Sequence, residues 1–281
     1  MLNLLSRTLF SPVIVVLGSL LTGCAGDETK IGTPITINVG LSYTNHVFYE
    51  DEPGAEGDII EFDLLQKHGD QILVNTYEIP SYRIRAKLAE PLFESDYMQV
   101  LRKLSPGDSV SVDVVVNSLP EEQIPPQLRN TEGSMTFTIS VRNLWNEASV
   151  IQTMVDNLSE GKSEPFIKTS RGVQIYWDER VKDGAKAEFG DSIFIHVAGK
   201  FLSGQEFMST FDSEPISFVL GEGLVEPKAW EDACSLVSQG DKITIISPHD
   251  MAYGTVDRNP ILRYSTLVFE IDIVKVKKLY E

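Results

Sequence analysis

One spacing recurs through the chain. Gly57-Asp58 returns as Gly190-Asp191, Tyr97 as Trp230 and Gly107-Asp108 as Gly240-Asp241, each 133 residues later; Phe137 and Phe269 are 132 apart. A constant offset over such a distance means that one folding unit is used twice. The chain has 281 residues, enough for two ordinary domains with cores of their own.

Both copies share a local grammar. After the first Gly-Asp comes a β-rich run, IIEFDLL in copy one and SIFIHVAGKF in copy two, and each then turns at a glycine, Gly69 or Gly204. Tyr97, Val100, Leu101 and Leu104 fall at i, i+3, i+4 and i+7, as do Trp230, Ala233, Cys234 and Val237. That spacing predicts one apolar face of a short helix, ending at Pro106-Gly107 or Gln239-Gly240. Alternation follows at Val110, Val112, Val114 and Val116, and at Ile243 and Ile245. The final strands alternate at Met135, Phe137, Ile139 and Val141, and at Leu267, Phe269, Ile271 and Ile273. Alternation with one apolar face predicts strands packed on one side against the helix. The fold class is therefore α+β: two tandem domains, 35–145 and 165–281, each an antiparallel β-sheet wrapped around a short α-helix. Residues 146–164 link them. Val150, Met154 and Leu158 recur every fourth residue there, so the linker is partly helical, as a rigid spacer or a docking surface.

The first residues lie outside this pattern. Arg7 precedes an apolar run, Pro12 to Leu21, too short for a permanent membrane span, so 1–23 reads as a cleaved export signal. Leu21-Thr22-Gly23-Cys24 resembles a bacterial lipobox. That resemblance implies acylation of Cys24, anchoring to a membrane without spanning it, and a tether over 24–34. Ala25 stands where the inner-membrane retention signal has Asp, which points to the outer membrane of a cell envelope. Cys24 and Cys234 are the two cysteines. With Cys24 lipidated, no intrachain disulfide is available, and Cys234 falls on the apolar helix face as a core thiol.

The formal net charge is −17, which gives no counterion-release gain on DNA or RNA, so nucleic acid is not an expected partner. The four histidines have no ligand spacing, so no metal site is expected. Gly221-Glu-Gly223 lacks the lysine of a phosphate loop, so no cofactor is expected, and no Ser/His/Asp set is proposed.

The order GDSIFIHVAGKFLSGQEF (190–207), EPKAWEDACSLVSQGDKITIISPHDMAYG (226–254) and STLVFEIDIVKV (265–276) resembles an FKBP-type peptidyl-prolyl cis/trans isomerase. The resemblance implies an apolar aromatic pocket. Trp230 matches its floor, Phe207, Phe218 and Phe269 its aromatic walls, and Val225 the wall valine before the helix. Tyr253, in Ala252-Tyr-Gly254, matches the tyrosine whose hydroxyl bonds a ligand carbonyl. Ile261 falls near the apolar flap residue. Trp230, Tyr253, Phe207 and Phe269 are thus the implied catalytic residues, with Phe218, Val225, Ile216, Ile261, Val197 and Met208 binding substrate.

This sequence also departs from the family. Val197 replaces a Tyr and Met208 an Asp that hydrogen-bond each other at the pocket rim, and their joint loss leaves no buried carboxylate unpaired. Ile216 replaces a further aromatic, and Glu226-Pro227 stands where a backbone N–H usually receives the ligand. Reduced activity is the expectation. Copy one departs further: Tyr97 replaces the floor Trp, Ile72-Leu73 replaces Phe-Asp, and Val115–Leu119 replaces the Ala-Tyr-Gly element, while Ile124-Pro-Pro126 is similar to the flap. It is expected to be a structural or binding module. The partners implied are proline-containing polypeptides and, through the anchor, a membrane. The leading reading is a lipid-anchored isomerase assisting exported or envelope proteins. Its competitor is a non-catalytic binding module serving as scaffold or chaperone.

Overall fold

The computed structural model describes residues 31–49, 51–79, 82–162 and 164–280; the segment read as an export signal, 1–23, and Cys24 lie outside them. The first sheet contains β1 (Pro34–Asn38), β2 (Leu41–Val47), β3 (Ile59–His68), β4 (Gln71–Asn75), β5 (Ile84–Lys87), β6 (Ser109–Val115) and β7 (Ser134–Trp145). Their order is β1-β2-β6-β7-β3-β4, with β5 also on β3. The second sheet contains β8 (Ile167–Lys168), β9 (Gln174–Glu179), β10 (Ser192–Phe201), β11 (Glu206–Ser209), β12 (Ile216–Val219), β13 (Lys242–Ser247) and β14 (Leu267–Lys277). Its order, β8-β9-β13-β14-β10-β11 with β12 on β10, is the first order strand for strand. β1 begins at Pro34, one residue inside the segment read as tether, and Gly32 already donates its N–H to the Asn45 carbonyl.

The repeat extends to single hydrogen bonds. Gly57, Gly107, Gly190 and Gly240 take φ between +91° and +97°, a region that favours glycine. Each following Asp carboxylate accepts the N–H of the residue three places earlier: Ala55, Ser105, Glu188 and Ser238 respectively. Asp108 and Asp241 also accept a second N–H, from Tyr49 and Val181, each at 2.8 Å. Thr76 and Thr210 each receive a backbone N–H on their hydroxyl, from Leu64 and Val197, both at 2.8 Å. A bulge sits at Glu61/Phe62 in β3 and again at Phe194/Ile195 in β10.

Helices α1 (Met98–Leu101) and α3 (Lys228–Cys234) lie inside the two sheets' cores, their apolar faces buried at Val100, Leu101 and Leu104 and at Trp230, Ala233, Cys234 and Val237. Both stop earlier than the sequence pattern predicts. The bonds Leu104 N–H to Leu101 and Leu236 N–H to Ala233 are tight i→i+3 links, which carry Leu104 and Val237 into the core without continuing the helix. Gly107 and Gly240 serve the turn into the next strand instead.

The expectation of one covered sheet face also needs correction. In β13, Thr244, Ile246 and Ser247 are buried as well as Ile243 and Ile245, because α2 (Glu147–Ser159), the linker helix, packs on β13. In β3 the outward Glu61 and Asp63 are buried, each neutralised by arginine: Arg85 Nε lies 2.7 Å from Glu61, and Arg142 2.6 Å from Asp63. Cys234 is buried in the second core, and burial, with Glu231 nearby, pushes its thiol up to about 12, so it is an inert thiol.

Asp241→Ala strips the acceptor from Val181 N–H, Ser238 N–H and the indole N–H of Trp177 (3.2 Å). The expected loss is roughly 3 kcal/mol, given about 1–3 kcal/mol per buried donor left unpaired. Urea unfolding followed by tryptophan fluorescence checks it, with a lowered midpoint as the expected result.

Candidate active site

The ten pocket residues read from the sequence come together in one apolar cluster. Trp230, Phe269, Val197 and Ile261 are buried in it, while Phe207, Met208, Ile216, Phe218, Val225 and Tyr253 pack against it half-buried. Several elements supply them: Val197 comes from β10, Phe207 and Met208 from β11, Ile216 and Phe218 from β12, Trp230 from α3, and Phe269 from β14. Tyr253 and Ile261 lie in the segment between β13 and β14. Trp230 meets Phe269 edge-on, ring centroids 5.5 Å apart at 90°, and Phe207 meets Phe269 at 6.2 Å and 86°. Val197 and Met208, the substitutions at the polar rim, leave this wall wholly apolar. The indole N–H of Trp230 is buried with no hydrogen-bond partner among the described residues, a donor left over in an otherwise apolar cluster.

Tyr253 supplies the polar handle. Burial raises its hydroxyl above the ordinary tyrosine value, Arg258 opposing and Glu226 reinforcing, so at neutral pH it is protonated and can donate a hydrogen bond. The Arg258 guanidinium lies 5.3 Å from the Tyr253 ring centroid and pairs with Glu226 at 2.6 Å. This pair ties the flap to the loop carrying Val225. The flap is closed by paired backbone bonds between Arg258 and Ile261, which turn Ile261 into the cluster. A cleft of about 870 Å³ lies elsewhere, between α2 and the β8–β9 edge, lined by Ile151, Val155, Phe166, Lys168, Arg171 and Pro248 among others.

Two contributors escaped sequence reasoning. Gly199, inside β10 and opposite Phe269, is where Phe207 lies against the strand: a Cβ there would sit 2.6 Å from the Phe207 ring. A glycine within a strand is the signal that marks such close approach. Glu147, on α2, accepts the His249 N–H and lies 2.5 Å from His249 Nδ1, four residues ahead of Tyr253. No local pattern marks that long-range contact.

Copy one builds a different cluster. Tyr97 and Phe137 stack nearly parallel, 5.1 Å apart at 16°. The strand register shifts the sequence assignment by one. Met208 pairs with Gly199, and Val74 with Gln66, so Leu73-Val74 stands where Phe207-Met208 does. Ile72 instead is exposed. At Ile261's offset of 133, Leu128 is buried, whereas Ile124 only packs against the core. Pro120, with no hydroxyl, holds the place of Tyr253.

Residues 184–274, about a third of the chain, running from before β10 into β14 and including α3, match the family model of the FKBP-type peptidyl-prolyl cis-trans isomerase. Among curated proteins, the chain is 31% identical over 110 residues to the FKBP-type isomerase FkpA of Buchnera aphidicola, covering 39% of this chain and 44% of that protein. It is 27% identical over 139 residues to FkpA of Escherichia coli, covering 47% and 50%. The chain thus spans about half the length of the curated relatives it matches. The crystal structure of Escherichia coli FkpA aligns with a TM-score of 0.40 at 27% identity, over 48% of this chain and 60% of that one. The three FKBP domains of wheat FKBP73 align with a TM-score of 0.37 at 11% identity, over 84% and 94%.

Gly199→Ala should push Phe207 off Phe269, at a cost of about 1–3 kcal/mol for overpacking. Near-UV circular dichroism checks the displaced aromatic cluster, and chemical denaturation the stability.

Proposed function

We propose that this chain is a peptidyl-prolyl cis/trans isomerase whose second domain carries the activity. The observation behind this reading is the convergence of Trp230, Phe269, Phe207 and Ile261 on one apolar cluster with the protonated Tyr253 hydroxyl beside it. Rotation about an X-Pro bond faces a barrier of about 18–20 kcal/mol from amide resonance. Catalysis needs no bond broken; it needs the twisted amide bound better than either planar form. Twisting weakens the carbonyl dipole, so a dry apolar site favours it over water. In this reading Trp230 floors the prolyl ring, Phe207 and Phe269 wall it, and Tyr253 donates to a substrate carbonyl. The wholly apolar rim at Val197 and Met208 makes turnover modest.

The proposal extends to cellular setting. Leu21-Thr22-Gly23-Cys24 supports lipid anchoring in a cell envelope, at the outer membrane, with proline-containing exported polypeptides as substrates. The first domain, with Leu73, Tyr97 and Pro120 in place of pocket residues, is a structural or binding module. A second reading, a binding domain without turnover, is favoured by the absence of polar side chains at 197 and 208.

Isomerisation of Xaa-Pro peptides by the purified chain and its Trp230→Ala variant tests the first reading. Turnover should fall at least about tenfold, that is about 1.4 kcal/mol of transition-state stabilisation, with the fold retained by circular dichroism. Equal turnover in the variant would sink the pocket assignment; a folded parent without turnover would favour the binding domain. Cys24→Ser should move the protein from the membrane to the soluble fraction.

A further inference from the structure

The segment between β13 and β14, residues 248–266, carries both Tyr253 and Ile261, and its two ends are held from outside the domain that it serves. Glu147, on α2 after the first domain's last strand, reaches both ends at once. It accepts the His249 N–H at 2.7 Å, meets His249 Nδ1 at 2.5 Å, and accepts the Thr266 hydroxyl at 2.7 Å. His249 and Thr266 are buried, so these bonds are shielded from water. Between the ends, Arg85 of β5 donates to the Ser265 hydroxyl at 2.9 Å, and the Tyr82 hydroxyl donates to Asp257 at 3.2 Å. Arg85 is itself anchored by Glu61 and lies 5.3 Å from the Trp145 ring centroid.

The grip reaches Tyr253 through identifiable contacts. The His249 ring meets the Tyr264 ring edge-on, centroids 5.2 Å apart. Tyr264 has φ +59°, a conformation that non-glycine residues hold only when their surroundings over-determine it. Its N–H closes onto the Gly254 carbonyl at 2.9 Å, and the Gly254 N–H onto the His249 carbonyl at 2.7 Å. A single carboxylate therefore orients the ring that supports Tyr264, which in turn braces the backbone next to Tyr253.

We infer that Glu147 is a positioning residue for the pocket: the linker helix clasps segment 248–266 and sets the placement of Tyr253 and Ile261. This rests on the isomerase reading, and it makes the linker and first domain part of the site's frame. In the isomerase reading Tyr253 donates to a substrate carbonyl that is present in ground and transition states alike; taken as uniform binding, its loosening raises KM and spares kcat. A merely structural role would act otherwise. Partial unfolding lowers the active fraction, and hence apparent kcat, at unchanged KM.

The test compares the full chain with Glu147→Ala and Glu147→Gln, using Xaa-Pro peptide kinetics and backbone hydrogen exchange. The Gln variant keeps an acceptor for His249 N–H and Thr266 and can donate to Nδ1 of the neutral ring. For Glu147→Ala the expected result is KM raised about fivefold or more with kcat within about twofold. Exchange at the Tyr264 and Gly254 amides should quicken at least about tenfold while that of β10 stays unchanged. Glu147→Gln should restore most of both. Unchanged KM and unchanged exchange at Tyr264, or exchange quickened equally throughout the second sheet, would overturn the inference. If Glu147→Ala does not fold, the Gln variant decides: KM and local protection near the parent's values support the clasp, and loss of both overturns it. Should the parent lack turnover, the isomerase reading fails, and the exchange pattern alone decides the clasp.

Discussion

The buried aspartates of the Gly-Asp turns that follow the two helices, Asp108 and Asp241, hold each sheet to its helix. A strand entering the core from a sharp turn leaves backbone N–H groups with no ladder partner, and burying them unpaired is costly. Glycine supplies the positive φ, and the following carboxylate takes up the stranded N–H groups. At Asp241 the same carboxylate also bonds the Trp177 indole, joining β9, the turn after α3 and β13. The position of α3, and so of Trp230 over Phe269, depends on that joint.

The first copy keeps the joint and changes what surrounds it. Asn45 stands opposite Val110 as Trp177 stands opposite Ile243, and its amide is buried without a partner among the described residues. Tyr97 lies flat on Phe137, where Trp230 stands edge-on to Phe269. A stacked pair closes over itself, whereas an edge-on pair leaves the face of one ring available as a floor. Identical topology thus carries two different surfaces, and the chemistry resides in the side chains, not the sheet.

Legibility from sequence followed the range of the interactions. Turns and strand alternation are local, so the Gly-Asp offsets and the periods at Val110–Val116 and Leu267–Ile273 could be read directly. The aromatic residues were legible because their order along the chain matches a known pattern. Register was less so: both hairpins carry the same bulge, which leaves Leu73 in β4 and Phe207 in β11 as counterparts, and no composition rule marks where a bulge falls. The covering of β13 by α2 was illegible for a different reason. Val150, Met154 and Leu158 announce a helix, but α2 buries no residue fully, and its anchor is one carboxylate reaching a histidine more than a hundred residues away.

That anchor has an electrostatic logic. Burial opposes the charge on Glu147, yet the bonds from His249 and Thr266 outweigh it and hold the carboxyl below the ordinary glutamate range. A carboxyl lowered in the folded state stabilises that state in full above its unfolded value, and the contribution is lost as pH falls through the lowered one. The clasp is therefore complete across the neutral and mildly acidic range. A similar balance operates at Asp257, where burial opposes the charge but Arg263, with help from Tyr82, keeps the carboxyl low. Both carboxylates brace the segment that bears Tyr253 and Ile261, one from the linker helix and one within the flap. The segment that bears Tyr253 and Ile261 is thus held partly by a residue of the linker that joins the two sheets. A linker that only spaced two independent domains would have no need of a carboxylate committed to His249 and Thr266.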